Sequence, residues 1–121
     1  MLPPILVVDA DGALVGLQSQ LLQSAGYAVT TSASFEEAGA RLKEQDFHAV
    51  VAAHHLGKHN GLHLILRARA QQPAVLAVIT SPVADPVLTA EASALGAACV
   101  VAPWADPTEL LRLLQAGAQP A

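Results

Sequence analysis

Two carboxylates near the start of the chain have the spacing of a site for a hard cation. Asp9 and Asp11 directly follow the apolar run Ile5–Val8, which has the length of a buried strand. Carboxylate oxygens are the ligands that Mg²⁺ prefers, and two carboxylates leaving one strand end can share an ion. A simpler interpretation is that Asp11 caps a following helix while Asp9 is solvated at the strand end. The sequence leaves both interpretations open.

Histidines form a second group whose side chains could do chemistry. Five of them lie in the middle of the chain: His48, His54, His55, His59 and His63. The spacing of His59 and His63 would let two imidazoles on one helix face bind Zn²⁺ or another transition metal. However, Asn60-Gly61 indicates a turn between them, and no cysteine or carboxylate close in the sequence completes a ligand set. A solvated loop is the simpler interpretation, and a loop that gains charge as the pH falls toward about 6.5 is a further hypothesis.

The elements that must position these residues alternate between strands and helices. Four continuous apolar runs have the pattern of strands covered on both faces, and a weaker strand completes a set of five. The predicted strands are Ile5–Val8, Ala28–Thr31, Ala49–Ala53, Val75–Ile79 and Ala98–Val101. Helical periodicity fills the gaps, and the first helix is expected to turn Leu14, Leu17, Leu21 and Ala25 inward.

Start signals support three of the five predicted helices. Ser34 begins a capping box, and Asp85 and Asp106 each precede a proline at the first helical position. The resulting order βαβαβαβαβα predicts an α/β fold, a doubly wound parallel sheet of five strands with five helices. In such folds ligands bind at the carboxyl ends of the strands. We therefore expect the chemistry within residues 9–12, 53–61, 80–82 and 102–104.

The composition excludes several classes of function. The chain has 121 residues, of which 53% are apolar, and a net charge of -4. This length fits one domain, and the low charge excludes disorder. The six basic residues are scattered, so no nucleic-acid surface is predicted. No apolar stretch approaches the roughly 20 residues of a membrane span, the N-terminus lacks a signal-peptide pattern, and the single Cys99 favours a cytoplasmic location.

Five short motifs occur in the order and spacing of a known family. They are Ile5–Asp9, Asn60–Leu62, Val78–Ser81, Gly96-Ala97 and Val100–Trp104. Together they resemble a response regulator receiver domain of two-component signalling, over about residues 4–116. The resemblance implies a flavodoxin-like topology with strand order 2-1-3-4-5. It also implies a receiver-like domain at residues 1–116, followed by a linker-like tail at 117–121 that could lead to an effector domain outside this sequence.

Receiver domains transfer a phosphoryl group from a histidine kinase to one of their own aspartates, and the resemblance implies that this chain has lost that chemistry. In this family the phosphoacceptor lies eight residues before the glycine that corresponds to Gly61, and that position is Ala53. The position of the family's lysine is Ala102. Alanine brings neither a nucleophilic oxygen nor a charge that could stabilise phosphoryl transfer. The resemblance therefore implies a pseudo-receiver that is not phosphorylated and is not an enzyme.

Remnants of the family's phosphate pocket persist. Asp9 occupies the first position of the acidic pair, Ala10 the second, and Asp11 falls where many receivers carry a further acidic residue. Thr80 keeps the hydroxyl that follows the fourth strand, and Pro103 keeps the proline whose preceding peptide bond is commonly cis in the family. No cofactor is predicted, and Mg²⁺ binding at Asp9 and Asp11 is expected to be weak or absent.

Receiver domains bind partners and form dimers through the fourth helix, fifth strand and fifth helix. The resemblance places this face here on Leu88, Glu91, Leu95, Cys99, Val101, Trp104, Leu111 and Arg112. The predicted function is a phosphorylation-independent signalling module in a two-component phosphorelay, which binds a protein partner or effector domain. A homodimer through the same face is compatible with this prediction, whereas contact with nucleic acid or membrane is not expected.

Two alternatives from other classes remain open. Val7–Gly12 also resembles the opening motif of haloacid-dehalogenase-type phosphatases, with Asp9 as nucleophile and Asp11 as acid and base, but no lysine or later acidic pair completes that site. The other alternative is a metal-binding module that uses the histidines.

Overall fold

A computed structural model describes residues 3–118, in which seven strands and five helices follow one another. The strands are β1 (Ile5–Val8), β2 (Val29–Ser32), β3 (Ala49–Ala53), β4 (His55–Leu56), β5 (His59–Asn60), β6 (Leu76–Ser81) and β7 (Ala98–Val101). The helices are α1 (Gly12–Ser24), α2 (Phe35–Glu44), α3 (Gly61–Gln71), α4 (Pro86–Ala94) and α5 (Thr108–Ala118). Before α2, α4 and α5, the side chains of Ser34, Asp85 and Asp106 each accept a backbone N–H of the first turn at 3.1 Å, as the start signals predict.

Five of the strands form one parallel sheet in the order β2-β1-β3-β6-β7. The doubly wound arrangement of five parallel strands with five helices agrees with the prediction. The predicted order 2-1-3-4-5 is wrong as numbered, because two short strands precede the last two strands of the sheet. These strands, β4 and β5, pair antiparallel as a hairpin outside the sheet. Strands of two residues are too short to produce a hydrophobic period, so no sequence pattern indicates them.

The sheet is covered on both faces, which explains its uninterrupted apolar strands. Leu6 and Val8 face a core that α2, α3 and α4 cover, whereas Ile5 and Val7 face a second core beneath α1 and α5. Because successive side chains of a strand point to opposite faces, every residue of β1 is buried. This burial leaves the strand ends as the places where polar side chains can gather.

Helix α1 turns a different face inward from the predicted one. Gln18 and Leu22 are buried, whereas Leu17 and Ala25 are exposed. The amide Nε2 of Gln18 donates a hydrogen bond to the carbonyl of Leu14 at 3.2 Å, which satisfies its donor inside the protein. A polar side chain at a core position interrupts the apolar pattern and shifts the apparent inner face by one residue.

The bounds of three predicted elements also change. Strand β2 covers Val29–Ser32, one residue later than the predicted Ala28–Thr31. Strand β6 extends to Ser81, so Thr80 and Ser81 are buried residues of the strand and do not follow it. Helix α5 continues through Ala118, so the first two residues of the predicted tail at 117–121 are helical. The rest of that tail lies outside the described residues. No helix within residues 3–118 is long and apolar enough to cross a membrane.

Candidate functional site

A cavity of about 310 Å³ opens at the carboxyl edge of the parallel sheet. Ala53 at the end of β3 lies opposite Thr80 of β6, and Asp9 follows the end of β1. The cavity is lined by apolar, aromatic and polar side chains: Asp9, Leu14, Ala53, His54, His55, Thr80, Ser81, Pro82, Val83, Asp85 and Trp104. Its position is the one at which doubly wound sheets bind ligands, as the alternation of elements predicts.

Asp9 is the buried carboxyl group of this cavity, with only 6% of its surface exposed. Its Oδ1 accepts a hydrogen bond from the backbone N–H of Asp11 at 2.9 Å, and no second hydrogen bond reaches the Asp9 side chain from the described residues. Burial raises the pKa of the Asp9 carboxyl above its ordinary value, because a charged group loses its hydration there. The hydrogen bond from Asp11 lowers this pKa and the charge of Asp11 raises it again, both by less than burial does.

We expect Asp9→Asn to stabilise the domain at neutral pH. Because the pKa of Asp9 is raised on folding, its stabilising contribution is complete below the ordinary value of 3.8 and is lost as the pH rises through the folded value. Asparagine keeps the oxygen that accepts from Asp11 and removes the buried charge. Urea unfolding should therefore give a higher midpoint for the variant at neutral pH, with the difference disappearing below pH 3.8. Asp46→Asn, at an exposed carboxyl outside the cavity, is the control, and a variant less stable than the wild type at neutral pH would contradict the expectation.

Asp11 does not join Asp9 in the cavity. Its Oδ1 accepts hydrogen bonds from the backbone N–H groups of Ala13 at 3.0 Å and Leu14 at 3.2 Å, so that Asp11 is the N-cap of α1. Of the two interpretations of this pair, the structure favours the helix cap over the shared cation. Asp11 is therefore placed neither as an Mg²⁺ ligand nor as the acid and base of the phosphatase alternative.

The donor groups of the cavity do not fit a divalent cation. Beside Asp9, the only other carboxylate of its lining is Asp85, whose Oδ1 accepts the backbone N–H of Leu88 and so caps α4. Among residues 3–118, no three His, Cys, Asp or Glu side chains are grouped so that they could hold a metal ion. Metals of this kind need several oxygen or nitrogen ligands in one place, so we assign no metal to the cavity.

One alanine ends strand β3, and another directly follows strand β7. Ala53 is half-buried in the lining of the cavity, whereas Ala102, which follows β7, does not line it. Ala102 has a φ of 42°, in the left-handed region, and its amide donates to Ser81 O at 2.8 Å. No peptide bond within residues 3–118 is cis, so the expectation of a cis bond before Pro103 is wrong. The left-handed Ala102 makes the turn, and its carbonyl accepts the amide of Ala105 at 2.9 Å.

The histidines are dispersed over the molecule. Only His54 and His55 line the cavity, and their rings lie 4.4 Å apart at an angle of 35°. His59 contacts a glutamate of α2 at 2.8 Å, and His48 contacts a backbone carbonyl of α5 at 3.1 Å. His59 belongs to β5 and His63 to α3, so the two do not share a helix face. The pair therefore lacks the helical spacing on which the Zn²⁺ hypothesis depends.

Comparison with known proteins identifies the family. A family model described as the response regulator receiver domain matches residues 5–115. The chain belongs to this family. Receiver domains are signalling modules of two-component systems, and they act on effector domains or other proteins and often dimerise.

Solved structures and one curated protein resemble this receiver domain. The chemotaxis protein CheY4 of Vibrio cholerae has a TM-score of 0.85 and 26% identity, covering 96% of this chain and 98% of that one. A response regulator from Burkholderia pseudomallei, described with a phosphorylated aspartic acid, calcium ion and citrate, has a TM-score of 0.85 and 26% identity, covering 96% and 68%. The alginate biosynthesis transcriptional regulatory protein AlgB of Pseudomonas aeruginosa is 34% identical over 77 residues, or 64% of this chain, which spans only 17% of that regulator.

The predicted partner face of the receiver domain needs one correction. Leu88 is only 1% exposed and packs in the core beneath α4, so it cannot take part in a surface contact. Sequence reasoning missed Val83, in the loop before α4, and Val87, in the first turn of that helix, which are 65% and 67% exposed. The alanine-rich sequence of α4 has little contrast between its faces, which hides the direction of burial. Of the other residues, Glu91, Val101 and Arg112 are exposed, whereas Leu95, Cys99, Trp104 and Leu111 are half-buried.

Proposed function

We propose that this receiver domain signals without being phosphorylated, as a pseudo-receiver. The observation that carries the proposal is the methyl group of Ala53 at the end of β3, where the family has its phosphoacceptor aspartate. The serine and threonine hydroxyls nearby are not substitutes, because an acyl phosphate requires a carboxylate. Without that nucleophile, the aspartyl phosphate of the family cannot form at this position.

Two further changes support the same proposal. The family's lysine is replaced by Ala102, and the second position of its acidic pair is Ala10. Phosphoryl transfer depends on positive charge around the transferred group. Removal of one such stabilising group typically lowers the rate by a factor of about 10²–10³. The chain has lost the nucleophile and much of the charge neutralisation, so a single reversion would not restore the reaction.

Treatment with acetyl phosphate and Mg²⁺ tests the proposal. Intact mass measurement should detect no added phosphoryl group on the wild type, while a conventional receiver domain in the same buffer is labelled. Ala53→Asp should remain at least about 100-fold slower than that conventional domain, because Ala102 and Ala10 still lack the charged groups. A phosphoryl group on the wild-type chain that hydroxylamine removes, as it does from an acyl phosphate, would overturn the proposal.

Without a phosphoryl switch, the domain would act by docking to protein partners. The corrected face for this contact comprises Glu91, Leu95, Cys99, Val101, Trp104, Leu111 and Arg112, to which we add Val83 and Val87. Exposed valines beside half-buried aromatic and aliphatic residues are the composition from which protein contacts gain most of their stability. The partner would be an effector domain of the same protein, another phosphorelay protein or a second copy of the chain, in the cytoplasm.

A further inference from the structure

The cavity at the sheet edge combines buried negative charge with no permanent positive charge. None of its eleven lining residues is lysine or arginine, whereas Asp9 and Asp85 are both carboxylates. No ion pair within residues 3–118 involves Asp9, and its Oδ2 has no hydrogen-bond partner there. Asp9 is only 6% exposed, and burial of a residue makes its ionised carboxyl group costly when no positive charge lies beside it. A cation that entered the cavity would relieve that cost.

A second polar group of the same lining, Thr80, could orient such a cation. Thr80 is 3% exposed and lines the cavity. It lies on β6, directly across from Ala53 on β3, at the same end of the sheet as Asp9. The hydroxyl of Ser81, by contrast, donates to the carbonyl of Val83 at 2.7 Å and is already used. Asp9 and Thr80 thus lie in the lining of one cavity, on either side of β3, and each offers an oxygen acceptor to a ligand that reaches across the cavity.

The rest of the lining suits an apolar body. Leu14, Pro82 and Val83 belong to this lining, as does Trp104. An aromatic face attracts an organic cation, and tryptophan does so most strongly among the aromatic residues. A volume of about 310 Å³ is at the small end of ligand cavities, which suits a compact molecule.

We propose that this cavity binds a small organic ammonium ion with an aromatic or aliphatic body, held by Asp9 and Thr80 and covered by Trp104. The ligand would bias the receiver domain in place of a covalent phosphoryl group, so the inference rests on the proposed function. A bare divalent cation is disfavoured by the lack of further ligands, and an anion by the two carboxylates. The cavity would therefore prefer a cation, whereas a site that accepts a phosphoryl group prefers an anion.

The test titrates the full chain with phenethylamine at neutral pH, with phenethyl alcohol and phenylpropanoate as neutral and anionic analogues of similar shape. Trp104 is the only tryptophan of the chain, so its fluorescence reports on the cavity, and calorimetry gives the affinity. Phenethylamine should bind with a Kd below about 1 mM, and the alcohol about tenfold more weakly. No saturable binding of phenethylamine, or an anion that binds as tightly as the amine, would overturn the proposal.

Variants assign the binding to the named groups. Asp9→Asn should weaken phenethylamine about tenfold or more and remove its advantage over the alcohol, because the charge-assisted hydrogen bond is lost. Asp46→Asn, at an exposed carboxyl outside the cavity, should leave the affinity unchanged. Unaltered affinity in a folded Asp9→Asn variant would overturn the inference. Phosphorylation by acetyl phosphate would instead overturn the proposed function. If neither amine binding nor phosphorylation is detected, the proposed function stands and only the amine site is rejected.

Discussion

Replacing Gly61 by alanine should destabilise the domain by about 3 kcal/mol, because the added methyl group has no space. A Cβ at this position would overlap the backbone carbonyl oxygen of Ala53 and lie 3.3 Å from Cδ1 of Ile79. The backbone of β3 cannot move away easily, since β3 pairs with β1 on one side and β6 on the other. The amide of Gly61 also donates to His54 O at 2.7 Å, which ties the start of α3 to the cavity.

A second glycine of the chain provides the matched control for Gly61→Ala. Gly16 lies in α1, where an added Cβ would meet nothing within 4 Å. Gly16→Ala should therefore stabilise the domain by up to about 1 kcal/mol, because glycine is unfavourable inside a helix. Urea unfolding followed by circular dichroism measures both free energies of unfolding. Equal stabilities of the two variants would mean that the close approach of α3 to β3 is absent in solution.

Truncation of Leu114 to alanine should cost about 3 kcal/mol, the other large effect that we expect. Leu114 lies on α5, is fully buried and packs in the core beneath α1 and α5. Its removal would leave a cavity between the helix and the sheet, because the surrounding side chains relax only partly. The loss should also loosen α5 and thereby the proposed partner face, of which this helix is a part.

The neighbouring Leu113 is the control for this truncation. It has the same chemistry and the same helix propensity, but it is only half-buried. Leu113→Ala should cost about 1 kcal/mol, since less apolar surface is returned to water. Urea unfolding measures the loss of unfolding free energy in both variants. Equal losses for Leu113→Ala and Leu114→Ala would contradict the observed orientation of α5.

Local signals account for what could be predicted of the fold. The helix caps at Ser34, Asp85 and Asp106 depend on a side chain and a backbone N–H two or three residues away, so the sequence contains the whole interaction. Continuous apolar runs likewise predict buried parallel strands, because each strand must be covered on both faces. The inward face of α1 was predicted wrongly, since the position of Gln18 in the core depends on packing that no local pattern reveals.

The candidate site, like the fold, could be predicted only in part from the sequence. The types of residue that it contains were set by the chain alone: Ala53 has no carboxylate and Ala102 no ammonium group in any conformation. Their places at strand ends followed from the order of the elements. Only the tertiary structure decided that Asp11 turns away to cap α1 while Asp9 stays buried, and that Trp104 lines a cavity together with His54 and His55. Cavities and buried charges arise from contacts between segments distant in sequence, and such contacts are settled when the whole chain packs.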